Sequence, residues 1–431
     1  MVPVSTASLA FGAASHPAPG PSSAGIAGLA QPTCDVCIVG DGVIGKTAAL
    51  ALAQAGLSVV LVGPSVVAGA AAASEPADWD LRVFALNQAA QSLLASLRVW
   101  DALDLARVGT VDGMVVRGDG AGAGGCIEFD AYGARVDALA WIVEQRNLTQ
   151  ALDNALRFAQ GVRLVAARAT RLQTTLECAR LELANGETVQ AALVVGADGS
   201  QSWLRHQAEI GVDYRPYGQT AVVANFSCEQ PHHGIARQWF LGADGIVALL
   251  PLAGARVSLV WSAPQVLAET LRRETPLQLA ARLMQLPAQP LGQLRPLAPE
   301  RLQGFPLALI RAHAFCALRV VLIGDAAHVV HPLAGHGMNL GFADVAQLAQ
   351  VLAARGADDC GAERVLQRYA RARKEDVWLM QFATDGLQRL FAADLEPLRV
   401  LRNVGLNLVN RMTPLKRRLI AQASGRVRPD I

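Results

Sequence analysis

The sequence lacks the features that mark several protein classes. Its seven cysteines, at 34, 37, 126, 178, 228, 316 and 360, are odd in number and scattered. That argues against a disulfide scaffold and for a reducing cytoplasm. Charge of one sign is not in excess either. A net charge of +2 provides no basic face of the kind a nucleic-acid binder needs. The first 33 residues contain no Lys, Arg, Asp or Glu. With neither a basic start nor a sustained apolar core they do not read as a secretory signal, and a flexible tail is expected over 1–33. Long apolar runs are missing too. Thr47 to Ser74 carries no charge, but Gly56, Gly63 and Pro64 divide it into a helix and a strand, short of the roughly 20 unbroken residues a bilayer span requires. No internal repeat is visible.

What is present is enough for a folded protein of two or three domains. The chain has 431 residues, 52% hydrophobic and 17% charged, so a sizeable core is expected and wholesale disorder is not. Cys34 and Cys37 form C-x-x-C inside an apolar strand. Residues three apart on a strand point to opposite faces, so these two are not expected to pair, and a redox role belongs at a helix start instead.

The first functional signal is "GDGVIG", Gly40 to Gly45. It follows the apolar run Asp35 to Val39 and precedes the helical "KTAALALAQAG" and a second apolar run, "LSVVLVG". Strand, glycine turn, helix and strand within about 30 residues is the setting that gives G-x-G-x-x-G its meaning as a dinucleotide cradle. Gly40 permits the tight turn, Gly42 lets the backbone approach a pyrophosphate, and Gly45 lets helix and strand pack closely. The helix start supplies oriented N–H groups for phosphate. An acidic residue usually ends the second strand to hold the adenosine ribose; here that place reads Val62, Gly63, Pro64. Asp41 lies inside the turn, where a carboxylate is tolerated beside phosphate only if it points away. Glu75 and Asp78 are the alternative ribose ligands.

Three further stretches stand out. "DWDLRVFALNQAAQSLLASLRVWDAL", Asp78 to Leu103, reads as a polar start and an amphipathic helix. "LVVGADGSQSWLR", Leu193 to Arg205, is again strand, Gly-Asp turn and helix. "VVLIGDAAHVVHPLAGHGMNLGFADV" begins at Val320 and passes from strand to helix through Asp325, three histidines and several glycines. A metal site on His328, His331 and His336 is not expected, because no carboxylate or cysteine completes the set nearby and Pro332 interrupts any helical ligand face. "GMVVRGDG" and "GCIEFD" look like paired strands. Alternation from about Asp213 to Ile310 predicts a mostly antiparallel sheet, and the chain after the last glycine motif reads as helical.

The order of GxGxxG, "DLRVFAL", "GADGSQSWLR" and "GDAAHVVHPLAGHGMNLGFADV" resembles the class A flavoprotein aromatic hydroxylases of the p-hydroxybenzoate hydroxylase type. It is most similar to their ubiquinone-biosynthesis branch, the UbiH/UbiF/VisC hydroxylases, over roughly Cys34 to Gly425. The resemblance implies an α/β fold, α+β overall. A Rossmann-like FAD-binding domain is expected over 34–110, 137–210 and 311–355. A substrate-binding antiparallel sheet is expected over 111–136 and 211–310, and a helical region over 356–431. It also implies FAD held by Gly40, Gly42, Gly45, Arg82, Gln145, Arg146, Asp198, Gly199, Gly324, Asp325, Pro332, Gly335, Gly337 and Asn339, with Arg205 nearby. Asp325 would take ribityl and ribose hydroxyls, and the glycines would clear the flavin face. His328 would be a structural hydrogen-bonder. His336 stands where that branch carries glutamine.

The implied reaction is hydroxylation of a polyprenylated phenol with O2 through a flavin C4a-hydroperoxide, with electrons from NAD(P)H or a protein donor. No catalytic base is named by the motifs. His336, Pro332 and Trp239 are the pocket candidates, with Phe240 and Pro251 beside Trp239. Two other readings stand beside this one: a hydroxylase of a small soluble aromatic acid, and a non-catalytic accessory subunit of the ubiquinone biosynthetic complex. From Leu398 onward eight Lys or Arg meet a single Asp among regularly spaced leucines. That pattern suits both peripheral contact with anionic lipid at the inner face of the membrane and a helix packed on the protein with a solvated basic face. Other subunits of such a complex, or a second copy of the chain, are the remaining expected partners.

Overall fold

The computed structural model describes residues 32–64, 79–119, 124–297, 302–331, 335–392 and 396–425. The fold is mixed α/β. Its centre is a parallel run of five strands: β1 (Cys34–Val39), β2 (Val59–Val62), β3 (Val162–Val165), β4 (Thr188–Gly196) and β5 (Val320–Leu322). In space they lie in the order β5-β4-β1-β2-β3. Val36 and Ile38 face one core cluster while Cys37 and Val39 face another. Both faces are therefore covered, which explains why these strands read as continuous apolar runs rather than alternating ones.

Cys34 departs from expectation. It packs in the same cluster as Cys37, so the two thiols do not point to opposite faces. The strand is irregular at Asp35, where the N–H groups of both Asp35 and Val36 point at the Ser58 carbonyl, each at 3.1 Å. Both cysteines remain free and buried. Burial pushes the Cys34 thiol up to about 11 and raises Cys37 as well, which makes both unreactive near neutrality.

A second sheet is built on the long strand Val212–Cys228, paired antiparallel with Arg256–Pro264 on one side and Gln303–Ala312 on the other. Ile246–Leu252 and Ile235–Phe240 extend it, and Gly113–Arg117 joins through the one parallel pairing described in this sheet, followed by Cys126–Asp130. The expected hairpin between "GMVVR" and "CIEFD" is thus part of this sheet. "DLRVFAL" does not start a helix directly. Val83–Leu86 is first a strand, paired with Ala140–Glu144, and the helix runs from Gln88 to Ser96.

Helices cover the parallel sheet and close the chain. α1 (Val43–Gln54) packs against both α2 (Gln145–Phe158) and α3 (His336–Ala353). α4 (Glu363–Ala392), α5 (Glu396–Arg411) and α6 (Thr413–Ala423) follow. Among the described residues no helix is long and apolar enough to cross a membrane.

α5 docks on the second sheet with its polar side inward. The side-chain oxygens of Asn403, Asn407 and Asn410 accept hydrogen bonds from the backbone N–H of Gly125, Cys126 and Glu128, at 2.8, 2.9 and 3.0 Å. Spacings of four and three put the three amides on one helical face, where they stand in for a neighbouring strand. Beside them Arg402 is buried and pairs with Asp119. Val400, Leu401, Val404 and Leu408 lie on the outer side, each more than half exposed.

Candidate active site

The three Gly-Asp bends meet because of strand register. Val39 on β1 pairs with Gly196 on β4, and Gly196 pairs with Leu322 on β5. The bends at Gly40, Ala197 and Gly324 therefore leave the carboxyl ends of three adjacent parallel strands at nearly one level. In open parallel sheets ligands bind at that edge.

Contacts between the bends are tight. Gly40 has φ +115°, and a Cβ there would fall 2.3 Å from the Ala197 carbonyl oxygen; one at Gly45 would fall 1.9 Å from the Gly40 carbonyl oxygen. Arg205 ties the second bend to the third. Its Nη1 donates to Ala326 O at 2.8 Å and its Nη2 to Ser200 O at 3.0 Å. Asp198 caps the following short helix through Leu204 N at 2.9 Å, while its other carboxylate oxygen is buried with no hydrogen-bond partner among the described residues.

Gly42 caps α1 and makes no side-chain hydrogen bond to the helix's first N–H groups. Gly42, Gly199 and Gly337 each face open space where a Cβ would lie. Bare backbone donors beside open volume, at a helix start, suit a pyrophosphate. With the unpaired Asp198 oxygen, these features fit an FAD.

Asp325 lies on the floor of the same cleft. It is solvent-accessible yet thickly walled by protein, and burial raises its carboxyl above the usual carboxylate range against the pull of His328 and Arg82. Arg82 spans the gap between sheets, its guanidinium 5.8 Å from the Phe84 ring and 5.5 Å from the Phe305 ring. Asp80 fixes the backbone here, accepting from the main-chain N–H of Arg82 and of Arg146, both at 3.1 Å. Gln145 N donates to Arg82 O at 2.9 Å. Arg82, Gln145 and Arg146 thus converge through Asp80, a residue the sequence reading passed over.

Beneath the third bend is a buried charge cluster. Asp344 shares a 2.6 Å hydrogen bond with His328 Nε2, accepts from Gly324 N at 2.8 Å and from Arg373 Nε at 2.7 Å. Burial alone would raise this carboxyl, but His328 and Arg373 outweigh it and hold Asp344 below its ordinary value. His328 is therefore a structural partner of the bend. Asn339 is another. Its Nδ2 donates to Ala85 O at 2.8 Å and its Oδ1 accepts from Asn87 N at 3.0 Å, so its amide staples α3 to strand Val83–Leu86 and the residue after it. Gly335 starts α3 at φ +67°, with the Ala85 methyl in the place a Cβ would need.

On the side of the second sheet, the long strand bulges between Pro216 and Gln219, and a bulge re-aims side chains. His331 Nε2 bonds Gln219 Oε1 at 2.9 Å, and its ring meets Tyr217 edge-on at 5.0 Å. Burial lowers His331 to about 4, so the imidazole is neutral. Its Nδ1 is buried and meets no hydrogen-bond partner among the described residues, and the buried Tyr217 hydroxyl lies beside Arg215. Neither Tyr217 nor Gln219 was marked by any motif. The bulge that brings them to His331 is a tertiary feature.

Trp239 lies elsewhere. It is buried in the second sheet's core, donates to Pro287 O at 3.0 Å, and is separated from strand Val212–Cys228 by two strands. Phe240 stacks on Phe391, and Pro251 sits within strand Ile246–Leu252. Pro332, Glu75, Asp78 and the side chain of His336 are outside the described residues. Among those described, no group of three or more His, Cys, Asp or Glu is arranged to hold a metal ion.

Comparison with known proteins adds to this geometry. A family model described as an FAD binding domain matches residues 33–383. Ubiquinone hydroxylase UbiL of Rhodospirillum rubrum is 39% identical over 412 residues, covering 94% of this chain and 93% of the relative. The 3-demethoxyubiquinol 3-hydroxylase of Escherichia coli is 36% identical over 404 residues, covering 92% and 99%. Among solved structures, p-nitrophenol 4-monooxygenase PnpA of Pseudomonas putida DLL-E4 superposes with a TM-score of 0.72 at 19% identity, covering 91% of this chain and 98% of that one; it is similar in fold.

Proposed function

This chain belongs to the FAD-binding-domain family that contains the ubiquinone-biosynthesis hydroxylases, and from that premise we propose that it hydroxylates the aromatic ring of a polyprenylated phenol in ubiquinone biosynthesis. It is an FAD-dependent monooxygenase. The observation that carries the reading is the near-complete match to two ubiquinone-pathway hydroxylases in a chain whose three bends meet at one sheet edge.

Bound FAD supplies the redox chemistry, accepting reducing equivalents and activating O2. The chain's own residues do the rest. Gly40, Gly42 and Gly45 with the start of α1 cradle the pyrophosphate. Asp198 and Gly199 line the dinucleotide from the second bend, and Asp325 accepts hydroxyl donors of its sugar chain. Arg82, Gln145 and Arg146 close the cleft from the other side. Gly337 leaves room for the ring system at the start of α3, Gly324 and Gly335 let the bend pack closely against Ile44 and Ala85, and Asn339 positions α3.

The substrate ring enters between this bend and the long strand of the second sheet. An electron-rich phenol needs positioning and exclusion of water more than it needs a strong base. Tyr217 and His331 offer two polar atoms for the phenol hydroxyl. Neutral His331 binds or relays a proton without placing a charge beside the ring.

A prenyl tail has to come from a bilayer. α5 turns its amides and Arg402 inward and its leucines and valines outward, the reverse of a helix meant for water. Arg411, at the end of α5, is exposed three residues on from Leu408, and Arg418 is exposed on α6. This face rests on anionic lipid, cations against headgroups and aliphatic side chains among acyl ends.

The test is mass analysis of quinone intermediates in a deletion strain. Accumulation of an intermediate lacking one ring hydroxyl is expected, with rescue by the wild-type chain and none by Asp325→Ala. A normal quinone profile in the deletion strain would refute the proposal. Rescue by Asp325→Ala would reduce the role to that of an accessory subunit.

A further inference from the structure

The end of β2 shows what became of the ribose ligand. In this fold a carboxylate at the end of the second strand bonds the adenosine ribose, and here the strand ends on Gly63 and Pro64. Nothing in the backbone demands glycine at 63, which does not have a positive φ. The demand is for space. A Cβ on Gly63 would fall 2.3 Å from Asp41 Cγ, 2.4 Å from its Cβ and 2.7 Å from Oδ2. The Asp41 carboxyl thus fills the volume into which a strand-end side chain would project. Gly40 N donates to Val62 O at 2.9 Å, which locks the turn to the strand and keeps the two positions together.

Resting on the FAD reading above, we propose that Asp41 is the ribose-binding carboxylate, moved from the end of β2 into the glycine turn, with Gly63 the vacancy that admits it. Two oddities of the sequence then become one exchange: an acid where the turn needs none and a glycine where the strand needs an acid. The same placement removes the electrostatic objection to Asp41. Its carboxyl is turned toward β2, off the N–H groups of α1 where the pyrophosphate is bound.

Titration of apoprotein with FAD and with FAD carrying 2′-deoxyadenosine, followed by flavin fluorescence, tests this. Wild type is expected to favour FAD over the deoxy analogue by about ten-fold or more, the scale of a charge-assisted hydrogen bond. Asp41→Asn should bind both at the weaker level, with apoprotein melting unchanged. Gly63→Glu alone should lose FAD by steric conflict, and Asp41→Gly combined with Gly63→Glu should regain affinity to within a few-fold of wild type. Discrimination that persists in Asp41→Asn, or a double variant no better than Gly63→Glu alone, overturns the exchange. Wild-type apoprotein that binds neither flavin would instead defeat the FAD reading itself.

Discussion

The two sides of the cleft are made in different ways. On the nucleotide side most of the working groups are backbone, N–H donors, bare glycines and bends held at one level by parallel register, with a few aspartates set among them. On the side of the second sheet they are side chains, delivered by a bulged strand and by the segment after the third bend from positions far apart in the chain. A backbone site tolerates almost no added volume, whereas a side-chain site is sensitive to charge and protonation. The contrast predicts which substitutions damage folding and which damage only function.

The strongest challenge to it is the buried cluster beneath the third bend. Asp344→Ala takes the buried acceptor from His328 and leaves the buried Arg373 with the exposed Asp376 as its remaining carboxylate, and should cost about 3 kcal/mol in denaturant unfolding, with loss of bound flavin. A cost under about 1 kcal/mol would mean that the bend does not depend on it. Next comes a pair of glycines. Gly45→Ala places a methyl against the Gly40 carbonyl and should cost about 2–3 kcal/mol. Gly42→Ala meets open space and should leave apoprotein stability within about 1 kcal/mol while lowering FAD affinity. Equal effects of the two on apoprotein melting would erase the distinction between packing glycine and ligand glycine.

Protonation probes the other side. His331 is held neutral, its value lowered from 6.5 to about 4. The unfolded chain therefore binds a proton that the folded chain refuses, and stability falls as pH drops below about 6.5, levelling off near 4. From pH 7 to pH 5 the loss from this group should be about 2 kcal/mol. Urea unfolding of wild type and His331→Gln across that range should show the variant losing correspondingly less. The smallest effect on folding belongs to the outer face of α5. Val404→Asp with Leu408→Asp should move stability by no more than about 0.5 kcal/mol yet abolish flotation with anionic vesicles, and retained flotation would remove lipid as that face's partner.

The same contrast explains what could be read in advance. Gly40, Gly45, Asp198 and Asp325 were visible because a bend's conformation is local and leaves glycine and aspartate at fixed spacing. Asp80, Asp344 and Arg373 were not, since an acid or a base in a loop or on a helix reads as solvated surface until its partner is known. Gln219 and His331 are 112 positions apart, and only the bulge in the long strand joins them. The two cysteines of C-x-x-C were misplaced for a related reason: strict alternation assumes a regular strand, and β1 is irregular at Asp35. Gly63 was noticed as a missing acid, but its meaning depended on seeing what fills the gap.

The row of asparagines on α5 has a consequence for assembly. Strand Cys126–Asp130 ends the path of the second sheet, and unsatisfied N–H groups along such a margin would invite another chain to add a strand. Amides at 403, 407 and 410 already occupy donors along it. Self-association by sheet extension is thereby blocked there, and a chain truncated before Glu396 should turn sticky, seeding aggregates through a border that the intact protein keeps closed.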